Sequence, residues 1–435
     1  MAVRVVVVRH GESTFNVEKR IQGRSDDSRL TAKGVEQAVA VRQALGKLCF
    51  DAVLASPLQR AWQTAETIVA GTALEPEAVD LLREVDVSEW EGLTFAEVKA
   101  QFPQDYYHWH RRPQDLQLGG RYPIRDLWEN ARRFWQQLSN RFPDRDQGLL
   151  NLLIVAHSGI NRALIGTALG IGCEYYQALG QENCAISILN FADWHSPPQL
   201  ESLNLTAHLG DPLPAKRSGV RIVLVRHGET QWNREQRFQG QMDVPLNEKG
   251  LWQAEQVAQF LKGVRIDRAF SSPLQRPWQT AAAICRFHEL EIIPVAELAE
   301  ICHGNWEGKL QSQVEQEYPG MLNQWQSQPQ QVQMPGGENL TQVWQRTAQG
   351  WQRILSQCQG EETALVVAHD ATNKALICQL FGLGPESFWA FKQGNAAVTV
   401  IDYPDGIPGI AVLRALNITS HFGQGILDCT AAGAL

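Results

Sequence analysis

The sequence predicts an α/β protein made of two tandem α/β/α sandwiches, each with a mostly parallel sheet covered by helices on both faces. Three observations lead there. The chain repeats itself almost end to end; apolar strand-like runs alternate with amphipathic stretches within each repeat; and residues able to hold an anion follow directly after strands.

The repeat comes first because it sets the domain count. Arg9-His10-Gly11-Glu12-Ser13 returns as Arg226-His227-Gly228-Glu229-Thr230, and Ser56-Pro57-Leu58-Gln59-Arg60 as Ser272-Pro273-Leu274-Gln275-Arg276. Trp90-Glu91-Gly92 matches Trp306-Glu307-Gly308, and Ala156-His157 matches Ala368-His369. The unit is about 205 residues, far beyond solenoid periods of about 20–50 residues, so a whole domain is duplicated. The predicted organisation is domain 1 over 1–210, a linker over 211–219 ("DPLPAKRSG"), domain 2 over 220–423 and a loose C-terminal tail over 424–435.

Within the first repeat, residues 3–8 are an apolar, β-branched run with one arginine, suited to a buried strand. Residues 32–48 read as an amphipathic helix and 52–55 as a short strand. Residues 58–70 read as a helix opened by Ser56-Pro57, with the proline in its first turn. A helix over 125–142, a strand over 152–156, a helix over 160–169 and a strand over 184–191 complete the pattern. Arg9-His10, the Ser-Pro turn and His157 each follow a strand. They therefore fall at carboxyl ends, where open α/β sheets bind ligands.

Composition narrows the function classes. At 435 residues with net charge −8 and no long basic stripe, the chain is not built for nucleic acid. No apolar stretch approaches the ~20 residues that span a bilayer. The amino terminus enters a strand-like run at once and lacks the form of a secretory signal. The eight cysteines are scattered without CxxC or zinc spacing and read as buried free thiols of a reducing compartment. The expectation is a cytoplasmic protein without metal or cofactor; a homodimer is compatible with the sequence.

Two guanidiniums (Arg9, Arg60), two imidazoles (His10, His157) and a helix start converging on one point make an anion pocket. Arginine holds phosphate oxygens bidentately at any working pH. Neutral His10, its protonation disfavoured by the two arginines, is the candidate nucleophile for in-line attack on phosphorus. Glu84 is the candidate acid for the leaving alkoxide and base for the returning water.

With these residues in place, the chain resembles the histidine phosphatase superfamily, the phosphoglycerate-mutase-like fold, over nearly its whole length. "RHGET.WN", "SSPLQR..QTA", "GNWEG", "PGGEN" and "VAH" of the second repeat carry the likeness. It implies that His10 and His227 become phosphorylated. It further implies phosphate binding by Arg9, Asn16, Arg60 and His157, with Arg226, Asn233, Arg276 and His369, and proton donation by Glu84 and Glu300. Mutases of the family usually follow the acidic residue with Arg-His-Tyr-Gly. Here Glu84 is followed by "VDVSEWEG" and Glu300 by "ICHGNWEG", which is the phosphatase form. The implied reaction is metal-independent phosphomonoester hydrolysis through a phosphohistidine on a small phosphorylated metabolite as partner, with a sugar-acid or sugar phosphate as the specific expectation. A cofactor-dependent phosphoglycerate mutase, a phosphoserine phosphatase, or one repeat that binds without turnover are the alternatives.

Two departures set further expectations. The first repeat lacks "PGGE", and the second has Asp370-Ala371 after its second histidine, a carboxylate beside a phosphate pocket. Over 92–128 the first repeat carries five basic and four acidic residues, against one and three over 308–344. Arg121 and Arg125 are thus expected to let the first site accept the more anionic substrate.

Overall fold

The computed structural model of the chain describes residues 2–143, 148–423 and 425–430. They form two units, Met1–Pro214 and Ala215–Leu435. The first contains β1 (Ala2–Arg9), β2 (Ala52–Ala55), β3 (Glu77–Ala78), β4 (Leu149–Ala156), β5 (Ile186–Phe191) and β6 (Gln199–Leu205). β1 pairs in parallel with β4, β4 with β2 and β2 with β3, while β5 and β6 continue the other edge antiparallel. The second unit has the same wiring: β7 (Val220–Arg226), β8 (Arg268–Ser271), β9 (Ile292–Pro294), β10 (Thr363–Ala368), β11 (Val398–Tyr403) and β12 (Val412–Ile418). In each unit the central strands are parallel. Val3 and Val5 to Val8 of β1 are buried on both faces, as a sheet covered by helices requires.

Register positions the chemistry. Arg9 lies opposite Ala156 and Ala55 opposite Val155. The line continues past the strands: the His10 N–H donates to Ala156 O at 2.9 Å and the Ser56 N–H to Val155 O at 3.0 Å. His10, His157 and Ser56 therefore leave three neighbouring strands side by side. The second unit repeats this, with His227 N–H on Ala368 O and Ser272 N–H on Val367 O, each at 3.0 Å. After His10 the chain must pass close to a helix start, and two glycines allow it. A Cβ on Gly11 would sit 2.3 Å from Gly34 O, and one on Gly34 2.1 Å from Glu12 O.

Several boundaries differ from expectation. The helix after β2 is Gln59–Val69, and Pro57 precedes it instead of sitting in its first turn. Ser56 still continues the strand line, Leu58 stays extended, and Asp26 accepts the Gln59 N–H in place of a local cap. The first long helix stops at Leu45, before Gly46. The helix predicted over 125–142 is Pro123–Arg141, with proline at its first position. β5 starts at Ile186 because Cys184 takes φ 54, a left-handed turn out of the strand. The thiols are free, but Cys49 and Cys429 are exposed and Cys173 and Cys302 half-buried, so the uniformly buried expectation fails.

The linker and tail also differ. Lys216, Ser218 and Gly219 bond to Glu361, Glu362 and Pro404, so the end of the predicted connector packs on the second unit. Residues 425–430 are not loose. Asp428 pairs with Lys392 at 3.5 Å and accepts from Asn417 and Thr430, and Thr430 accepts the Asn395 N–H. The other tail positions, 424 and 431–435, lie outside the described residues. Among the described residues no helix is long and apolar enough to cross a membrane.

Candidate active site

The first site is built on the ends of β1, β2 and β4. His10 is 2% exposed, and its Nδ1 lies 2.7 Å from Gly11 O. A carbonyl oxygen only accepts, so Nδ1 carries the hydrogen and Nε2 keeps its lone pair. The His157 ring lies 5.2 Å away, centroid to centroid. Its Nε2 is 2.8 Å from Ser56 Oγ, and its Nδ1 is buried without a partner among the described residues. Ser56 accepts the Leu58 N–H and can donate its own hydrogen to His157. That leaves the His157 Nδ1–H for an incoming acceptor.

Arg60 is fully buried. Its Nη1 and Nη2 donate to Ser25 O and Gly23 O, each at 2.8 Å, and its Nε has no partner. These two carbonyls fix the guanidinium plane, while no carboxylate among the described residues lies within ion-pair distance. Arg9 Nη1 donates to Gln181 O at 2.7 Å. Asn16 Oδ1 accepts from Ser13 N, Ser13 Oγ and Asn183 Nδ2, which turns its amide donors outward. The Glu12 carboxylate instead faces Thr31 and Lys33, so the last letter of Arg-His-Gly-Glu is structural.

Glu84 reaches the same point from a loop. Its carboxylate accepts from Gly159 N–H at 3.0 Å and Ile160 N–H at 3.1 Å, the first turn of the helix Ser158–Leu169. It also accepts from its neighbour, the Val85 N–H, at 2.9 Å. A Cβ on Gly159 would fall 2.3 Å from Glu84 Oε1, so a larger residue here would require the carboxylate to shift.

Electrostatics follow from burial among cations. The His10 imidazole is held well below its ordinary range, first by burial and then by Arg60 and Arg9. Burial thus outweighs the arginine charges that sequence reasoning had named. His157 is lowered by burial, Arg60 and His10. Burial also pulls Arg60 down to about 10, still charged at neutral pH. Neutral imidazoles beside fixed positive charge suit a nucleophile that must attack an anionic phosphoryl group.

The second site repeats the frame. His227 Nδ1 is 2.7 Å from Gly228 O, the His227 and His369 rings are 5.2 Å apart, and His369 Nε2 is 2.9 Å from Ser272 Oγ. Arg276 donates to Gly240 O and Met242 O, and its Nε points at the His227 Nε2 lone pair at 3.3 Å. Arg226 donates to Gln393 O at 2.6 Å, and Asn233 Oδ1 is held by Thr230 and Asn395. Both histidines are again held well below their ordinary range, chiefly by burial.

The sites part at the acidic residue. Ala371 stands where the first site has Gly159, and Glu300 is tied to that helix only through the Ala371 N–H, at 3.2 and 3.4 Å. Burial, and then the nearby Asp370, raise the Glu300 carboxyl. Asp370 Oδ2 binds Lys374 Nζ at 2.7 Å, and its Oδ1 lies 3.9 Å from Arg226 Nη1. The suspected carboxylate is thus balanced by a lysine. Glu338 of "PGGEN" grips Arg346, whose Nη2 holds Glu300 O at 3.0 Å. The first site lacks that clamp and uses Arg24, whose Nε holds Glu84 O at 3.0 Å.

Arg121 and Arg125, expected to favour a more anionic substrate, have partners beside their own segment: Arg121 pairs with Asp86 and Glu89, and Arg125 with Asp115 and Gln114 O, while Asp86 also holds Arg24 and Asp115 also holds Arg112. Sequence reasoning also missed Ser56 and Ser272, read only as helix openers. It missed Asn183 and Asn395, whose Nδ2 groups hold the His10 and His227 carbonyls. Their recurrence at matching positions of the two repeats was the available signal. Among the described residues no cluster of three His, Cys, Asp or Glu side chains could hold a metal ion.

Comparison with known proteins agrees with this frame. The sequence model of the histidine phosphatase superfamily (branch 1) matches residues 5–206 and again 222–415. A 2-carboxy-D-arabinitol-1-phosphatase of Triticum aestivum is 32% identical over 97% of this chain and 87% of its own length. A probable 2-carboxy-D-arabinitol-1-phosphatase of Arabidopsis thaliana is 32% identical over 98% and 89%. Phosphoserine phosphatase 1 of Hydrogenobacter thermophilus is 36% identical over 47% of this chain and 95% of its own. With two such matches and two sites of one geometry, the chain belongs to the histidine phosphatase superfamily, branch 1, as a tandem two-domain phosphatase.

Proposed function

We propose that the protein hydrolyses a small phosphomonoester through a phosphohistidine, with a sugar-acid phosphate such as 2-carboxy-D-arabinitol 1-phosphate as the substrate best supported. The observation that carries the mechanism is the His10 lone pair. Its Nδ1 is committed to Gly11 O, and the unpartnered donors Arg60 Nε and His157 Nδ1 belong to the same buried site. His10 Nε2 attacks phosphorus as the bond to the leaving oxygen breaks. Arg9, Arg60, His157 and the Asn16 amide take the charge that spreads over the three equatorial oxygens. Glu84 delivers a proton to the leaving alkoxide, then takes one from the water that cleaves the N–P bond and regenerates His10. His227, Arg226, Arg276, His369, Asn233 and Glu300 have the same roles in the second site. The relatives' names support the sugar-acid substrate, since two of them span nearly this whole chain.

The test is inorganic phosphate release, in EDTA, from 2-carboxyarabinitol 1-phosphate, 3-phosphoglycerate, phosphoserine and p-nitrophenyl phosphate. It is run on the native chain and on His10→Ala and His227→Ala. Selective release lost with one histidine names the substrate and its site. Interconversion of phosphoglycerates without phosphate release would replace the hydrolase reading with a mutase.

A further inference from the structure

The two sites share their phosphate-handling side chains, so what differs around them bears on the rest of the substrate. Three paired positions differ together: Ser158 and Asp370, Arg162 and Lys374, Tyr176 and Phe388. Ser158 and Asp370 open the helix that holds the acidic residue, Tyr176 stands next to Glu84, and Arg162 and Lys374 lie one turn along that helix. Because Glu84 and Glu300 protonate the leaving oxygen, this is the leaving-group side.

In the first site Arg162 Nε donates to Leu179 O at 2.8 Å, which orients the fork. Its guanidinium carbon is 5.2 Å from the Tyr176 ring. The Tyr176 hydroxyl stands next to Glu84: a Cβ on Gly159 would be 2.3 Å from Glu84 Oε1 and 2.9 Å from Tyr176 Oη. Arg162 is partly accessible and, among the described residues, has no carboxylate within 4 Å. A planar cation beside a hydroxyl matches the geometry of a carboxylate.

The second site has a cation at the same helix position but cancels it. Lys374 Nζ lies 2.7 Å from Asp370 Oδ2, and both side chains are nearly fully buried. Phe388 and Trp389 box the ammonium at 5.0 and 4.6 Å, and Phe388 brings no hydroxyl. A buried lysine already paired with a carboxylate attracts a second one weakly, and Asp370 would repel it.

We propose that Arg162 with Tyr176 is a carboxylate-reading subsite of the first domain, and that Asp370 abolishes its counterpart in the second. The first site then selects phosphomonoesters with a carboxylate on the leaving group, and the second those without a further anion. This rests on the hydrolase reading above, so the experiment separates the two.

The measurement is kcat/KM for 3-phosphoglycerate relative to glycerol 3-phosphate, which differ at the carboxylate. It uses the full chain carrying His227→Ala, so that only the first site turns over, or His10→Ala, so that only the second does. The first site is expected to favour 3-phosphoglycerate by roughly 10- to 100-fold, the range of one charge-assisted bond. Arg162→Gln should bring that ratio close to one, and Arg162→Lys should keep part of it. The second site should show no preference until Asp370→Ser frees Lys374, which should raise the ratio. A first-site ratio near one, or a ratio unmoved by Arg162→Gln, overturns the proposal. If Arg162→Gln does not fold, Asp370→Ser decides, and an unchanged second-site ratio overturns it. No turnover of p-nitrophenyl phosphate by any chain would remove the hydrolase reading itself and the proposal with it.

Discussion

Arg60 is the residue whose removal best separates scaffold from chemistry. In the His227→Ala chain, Arg60→Met removes two charged bonds, both at 2.8 Å, to Gly23 O and Ser25 O. Such bonds contribute about 1.5–3 kcal/mol each. The same change relieves the burial of a charge. The fall of Arg60 from 12.5 to about 10 corresponds to about 3 kcal/mol against the charged form. These quantities oppose one another, so the net loss of stability should be about 0–3 kcal/mol, tolerable for a domain stable by about 5–15 kcal/mol. Nothing offsets the loss in catalysis. The Nε donor and the charge facing the phosphoryl group disappear, and one such preorganised donor is worth about 10²–10³ in kcat. The assay is p-nitrophenyl phosphate turnover alongside a urea unfolding curve on the same preparation. Arg60→Lys keeps the charge but cannot bridge both carbonyls, so its rate should fall between. The reasoning is refuted if Arg60→Met costs less than tenfold, or if its rate falls only in step with the fraction unfolded.

Four more outcomes are expected. Because His10 and His227 are held well below the ordinary imidazole range, lowering the pH from 7 to 6 should not protonate the nucleophile or quench turnover at either site. In the His10→Ala chain the rate should fall on the alkaline side as Glu300 loses its raised proton; Asp370→Ser removes a like charge, so a pH–rate profile should show that limb moving to lower pH. Gly159→Ala pushes a methyl to 2.3 Å from Glu84 Oε1, and a shift on the order of 1 Å can cost about 10²-fold in first-site kcat; an unchanged kcat would show that Glu84 works from elsewhere. Dialysis against EDTA should leave turnover by both single-histidine chains intact, and loss of rate restored by a divalent metal would end the metal-free mechanism.

Much of the site was legible because its parts sit at breaks in pattern. His10 and His157 each end an apolar run, and a residue that ends a parallel strand is delivered to the ligand side of the sheet. Duplication made the same breaks visible twice. Other parts were hidden for physical reasons. Ser56 reads as a helix opener until the register of β2 beside β4 brings its hydroxyl to His157. The start of β5 was misplaced because Cys184, at φ 54, turns out of the strand inside an apolar run. The basic stretch holding Arg121 and Arg125 looked like a binding face, since sequence shows charges but not their partners.

By itself the sequence determined the two-domain α/β plan, the phosphate-handling residue types and their order along the chain. These follow from local periodicity and from chemistry that few side chains can perform. Only the tertiary structure decided which nitrogen of each histidine is free, which arginines keep an unmatched charge, and how the two sites differ. Those properties depend on how the folded backbone aims each group, locally for Gly11 O on the His10 imidazole and Asp370 on Lys374 one helical turn away, and across longer stretches of chain for Asp86 on Arg121 and Tyr176 beside Gly159. Burial then sets their consequence, because within a site that excludes water each such contact decides a proton or a charge.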